Sequence, residues 1–167
     1  QTTLDVIEVL DGGAPRETEP LLRLTGSSLD AAIRRLGAPA NDSEQRILPG
    51  GRTSVVFIWV TMPPGSVPAS LTHRFAFHVA SPAVSGSTSP PSTPPEDQSQ
   101  PYTVVGVDVA VSTHEPRVIG PPLRGDHWLA ANGPANESGH RRTLFALSGE
   151  ARIAQRFAVD WVRLYED

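Results

Sequence analysis

Apolar residues recur along the chain with a period of two or in short unbroken runs, the pattern of strands. Leu4, Val6, Ile7, Val9 and Leu10 make a β-leaning run that stops at Asp11-Gly12-Gly13. A short strand follows Pro20 over 21–24. Ser27 and Ser28 then cap a helix expected over 29–36, where Leu29, Ala32, Ile33 and Leu36 share one face and Gly37 and Pro39 close it. Its Asp30, Arg34 and Arg35 fall on the solvated side. The run over 53–61 is apolar on both faces, which predicts a central strand with Trp59 buried. Over 71–79 the pattern alternates. Leu71, His73, Phe75, Phe77 and Val79 share one face, and Thr72, Arg74, Ala76 and His78 the other. His73 and His78 are therefore on opposite faces and do not read as one metal site. A further strand is expected over 102–112.

Between these last two runs, 81–101 is rich in Pro and Ser and has almost nothing to bury. It reads as an extended loop with polyproline character, inserted into a long hairpin. The fold class is all-β. Residues 1–112 are expected to form an immunoglobulin-like β-sandwich with one short helix. Residues 113–167 are expected to form a lead-in segment and a C-terminal β-hairpin of strands 142–147 and 151–164.

Two residues stand out in the second part. His140 lies in a loop of Gly, Asn and Ser. Asp160 interrupts an apolar strand, with Ala158 and Val162 as its neighbours on the same face. A carboxylate placed so needs hydrogen-bond donors, a charge partner or a metal.

Asn132-Gly133, Ser138-Gly139-His140 and Arg156-Phe157-Ala158-Val159-Asp160-Trp161 together resemble the start of the catalytic domain in secreted bacterial M23-type (lysostaphin-like) zinc metallopeptidases. In one branch of that family an Asn-Gly…Ser-His loop supplies the first zinc histidine, and a strand of the form aromatic-Ala-aliphatic-Asp-aromatic supplies the zinc aspartate. Residues 121–125 and 128–133 are similar to the lead-in of that domain. The resemblance covers 117–164, and what precedes it matches only as a generic β-rich region. It implies His140 and Asp160 as metal ligands and Zn2+ as the cofactor. It also implies a peptide or peptidoglycan substrate in the complete protein, a secreted or periplasmic location in the bacterial cell envelope, and a downstream peptidase domain. The family's later His-x-His has no counterpart, because no His follows His140. Two ligands fall short of the three that a catalytic zinc takes from protein, so this chain is expected to be inactive alone. From residue types alone the reading is a non-catalytic extracellular binding or structural module. There His140 is a loop cap, and Asp160 is satisfied by backbone N–H groups or by Arg141 or Arg142.

Composition narrows the classes further. The net charge of −4 over 167 residues leaves no electrostatic footprint for nucleic acid. There is no Cys, hence no disulfide framework, thiolate zinc site or thiol nucleophile. No apolar run is long enough to span a bilayer. All 14 basic residues are Arg. Gln1 reads as the start of a mature secreted chain or a trimmed one. Nucleophile-elbow, phosphate-loop and His-Glu-x-x-His patterns are absent.

Overall fold

The first β-leaning run and the alternating run over 71–79 become the two longest strands of the computed structural model, which describes residues 1–39, 41–79, 101–115 and 117–165. Strand β1 (Thr2–Asp11) is followed by β2 (Leu22–Thr25), helix α1 (Gly26–Ala32), β3 (Ile33–Arg35), β4 (Ile47–Leu48), β5 (Ser54–Val56) and β6 (Ser70–Val79). Next come β7 (Tyr102–Val105), β8 (Val109–Ala110), β9 (Trp128–Asn132), helix α2 (Gly139–Arg142), β10 (Phe145–Leu147), β11 (Glu150–Arg152) and β12 (Asp160–Arg163). The architecture is all-β, with antiparallel sheets and two short helices where one was expected.

The chain divides into two units. The first is Gln1–Val56 with Val60–Thr113, and the second is Phe57–Trp59 with His114–Asp167. In the first, the main sheet runs β2-β1-β6-β7, with β4 also on β1 and β8 also on β6. The register of β1 on β6 shifts between Leu4 and Val6. This bulge brings Leu4 opposite Phe77 and Ile7 opposite Phe75, so Leu4 and Ile7 share a face despite their odd spacing. Asp5, the extra residue, meets His78 Nδ1 at 2.5 Å. At the end of β1, Gly12 donates its N–H to the Ser70 carbonyl, and a Cβ there would lie 2.4 Å from Ser70 Oγ. The loop expected over 81–101 lies outside the described residues except for Pro101, but the strands on either side of it, β6 and β7, pair antiparallel.

The core of this unit is Ile7, Val9, Leu29 and Ile33, each 1% exposed or less. Buried Glu8 faces Arg23 on β2 and Arg74 on β6 in register, and pairs with each at 2.5 Å. Helix α1 packs on β1 and β2 through Leu29 and Ala32. It starts earlier than expected because Thr25, extended, is its N-cap, and the Ser28 hydroxyl closes on the Thr25 backbone at both N–H (2.9 Å) and C=O (2.7 Å). It also ends earlier. Ile33 is β-branched and pairs with Val56, so 33–35 become a strand and the helix does not reach Leu36.

The run over 53–61 is not one central strand. β5 stops at Val56, and Phe57–Trp59 belong to the second unit, where Trp59 is 56% exposed. The expected hairpin of 142–147 with 151–164 is also corrected. Among the described residues β10 pairs with β11 alone, while β12, carrying Asp160, pairs with β9. The chain between β11 and β12 forms turns closed by Arg156 N–H to Ile153 C=O and Ala158 N–H to Gln155 C=O. These break what the sequence suggested was a single strand.

Candidate functional site

In the second unit, a Ser at an N-terminal cap aims a histidine at a strand. Ser138 has the extended backbone of an N-cap, and its Oγ accepts from the His140 N–H at 3.2 Å. The single turn α2 that follows is tied by Arg142 N–H to Ser138 C=O and by Thr143 N–H to Gly139 C=O. His140 thus sits on a turn of helix and not in an open loop. Its side chain is mostly buried, which is unusual here: among the described residues of this unit only Phe57 and His140 are buried.

A ring of polar contacts fixes that turn. Asn136 Nδ2 donates to the Phe57 carbonyl at 3.3 Å, and its Oδ1 accepts from Arg141 Nε at 3.1 Å. Arg141 also donates to the Ile58 carbonyl at 3.3 Å, with its guanidinium over the Trp59 ring. Arg142 donates to the Asn136 carbonyl at 2.7 Å and lies over the Phe57 ring. The two arginines proposed as partners for Asp160 are therefore directed to the 57–59 segment and Asn136.

Asp160 opens β12 opposite Asn132 of β9, beside a register shift between Asp160 and Trp161. Its carboxylate does not have the apolar surroundings that alternation predicted, since the side chain is half exposed. Oδ2 accepts from Asn132 Nδ2 at 3.0 Å and lies 3.0 Å from His140 Nε2. The other ring nitrogen, Nδ1, is 3.2 Å from the Ala158 carbonyl. A carbonyl can only accept, so Nδ1 carries the proton. Nε2, then an acceptor, lies 3.0 Å from a carboxylate oxygen, within ion-pair distance, and a proton or a cation placed between them would relieve the repulsion of their lone pairs.

The structure thus brings His140 and Asp160 together through strand β9, not through the hairpin drawn from sequence. Asn132 and the Ala158 carbonyl were missed as members of the site. Asn132 lay within the Asn-Gly pair already noted, but its role depends on the β9–β12 pairing. Among the described residues no three His, Cys, Asp or Glu side chains converge. No family model, curated protein or solved structure matches the chain.

Proposed function

We propose that the chain is the N-terminal portion of a secreted, M23-like zinc metallopeptidase of the bacterial cell envelope, with His140 and Asp160 as two zinc ligands. The observation that carries this reading is the 3.0 Å approach of His140 Nε2 to Asp160 Oδ2. Two ligands of one zinc, each about 2 Å from it, stand about this far apart. The donor set fits: an imidazole nitrogen and a carboxylate oxygen, with the histidine's far N–H held by the Ala158 carbonyl, as ligating histidines commonly are. When bound in such enzymes, zinc polarises a carbonyl and activates water. The residues here position ligands. Ser138 fixes the turn that bears His140, Ala158 sets its tautomer, and Asn132 restrains the carboxylate. Two ligands do not complete a catalytic set, so cleavage of peptide or peptidoglycan belongs to the complete protein with a downstream peptidase domain. The first unit, read as an immunoglobulin-like sandwich, is then an accessory module.

Calorimetric titration with Zn2+ tests this. Weak binding is expected, reversed by mild chelation without unfolding, and lost in both His140→Ala and Asp160→Asn. Zinc uptake of the same strength in both variants would sink the assignment.

One observation favours a second reading. Asp160 already accepts from Asn132 and approaches His140, so the trio closes as a polar network in a non-catalytic extracellular module if a proton bridges the pair. That reading expects no zinc uptake by the parent chain and a loss of stability in Asp160→Asn.

A further inference from the structure

The first unit contains a cavity of about 370 Å³. One wall is the main-sheet face that bears Leu4, Ile7, Phe75 and Phe77; the opposite wall is the β3–β5 ribbon, through Ile33, Ser54 and Val56. The strand registers explain the arrangement. Ile7 is opposite Phe75 and Leu4 opposite Phe77, while Ile33 is opposite Val56, and Ser54 lies two residues before Val56 on the same face. Three properties of this space point to an occupant. Its volume lies in the range of small-molecule sites. None of the ten described residues that line it is charged. Ser54 Oγ is buried and is the one such side-chain atom among the described residues without a hydrogen-bond partner. A buried hydroxyl left unmatched is unfavourable, and nearly all such groups in folded proteins find a partner.

We propose that this cavity is a binding site for a small, neutral, mostly apolar molecule with one hydrogen-bonding group, which pairs with the Ser54 hydroxyl. The apolar walls supply affinity through surface removed from water. The absence of charge among the described lining residues disfavours ions, which would enter without a counter-charge. The site is independent of the His140–Asp160 pair, whose two residues both belong to the other unit.

The test uses the full chain and three probes of matched shape: 1-naphthol, naphthalene and 1-naphthoate. Naphthol fluorescence should change saturably on binding, and naphthoate should bind at least tenfold more weakly. Ser54→Ala should weaken naphthol by roughly threefold to tenfold, the range of one hydrogen bond, and leave naphthalene unchanged. Val104 lines the cavity and is half exposed, so Val104→Trp should block both neutral probes. Val109→Trp, at an exposed position outside the lining, should block neither. No saturable naphthol binding by the folded parent chain would overturn the proposal and leave the space an unfilled core. An unchanged naphthol-to-naphthalene ratio in Ser54→Ala would also overturn it, and this second measurement stands even if Val104→Trp does not fold.

Discussion

The two units are held together by different physics. In the first, ten-residue strands pair along most of their length and cover Ile7, Val9, Leu29 and Ile33. In the second, the strands are three to five residues long, and β10, β11 and β12 are exposed at every position. Phe157, Trp161 and Leu164 face water there. What orders the second unit is directional: the Asn136, Arg141 and Arg142 contacts to 57–59, and the His140–Asp160–Asn132 trio. Burial tolerates small displacements, because its energy follows area; hydrogen bonds fall off steeply with geometry. A site that needs two side chains at a set separation is thus built where polar contacts, and not a core, do the positioning.

The contrast can be broken most sharply in the first unit. Leu29 is fully buried, and Leu29→Ala should cost about 2–5 kcal/mol, seen as a lower denaturant midpoint by far-ultraviolet circular dichroism. All three Trp lie in the second unit, so Trp fluorescence should follow that unit alone and change at lower denaturant than the dichroism of the parent chain. Coincident transitions would show that the two units unfold together.

Next in size is Asn136→Ala. It removes a donor to the Phe57 carbonyl and an acceptor for Arg141, and should cost the second unit about 1–3 kcal/mol. Faster amide exchange in α2, read by mass spectrometry, is the check. A change no larger than that of a surface substitution would mean that polar positioning is not what orders this unit. Smallest is Trp59→Ala. The ring is more than half exposed and lies under the Arg141 guanidinium, so the expected loss is below about 1 kcal/mol. A loss several times larger would show the ring to be core after all.

Alternation was informative where one element decides its own burial. β6 follows its apolar period, and β1 its apolar run, to within a residue or two of the ends. It misled where a second element decides. The run over 53–61 is apolar throughout, yet its residues divide between two neighbourhoods. Ser54–Val56 pair with β3, while Phe57 lies under Arg142 and beside Asn136, about eighty positions later in the chain. Periodicity reports that a side chain avoids water, not which partner covers it. The same limit applies at the site. His140 and Asp160 were nameable from their residue types and from a family resemblance. The strand that joins them, β9, was not, because nearest-in-sequence pairing is only a tendency and β9 precedes α2.

Glu8, set between Arg23 and Arg74, bears on strand alignment. The apolar stripes of β1 and β6 repeat every two residues, so a slip of two places sets Ile7 and Val9 against Phe77 and Phe75 in one direction and against His73 and Leu71 in the other, all residues of the same stripe. Hydrophobic matching discriminates poorly between these frames. The charges do not repeat. In a frame two residues out, Glu8 would face Thr72 or Ala76 on β6, and on β2 it would face Thr25 or the residue at 21. A carboxylate now 4% exposed would then be buried without either guanidinium. The ion triplet therefore works as a proofreading device during sheet assembly: it adds little to the depth of the correct alignment and removes its closest competitors.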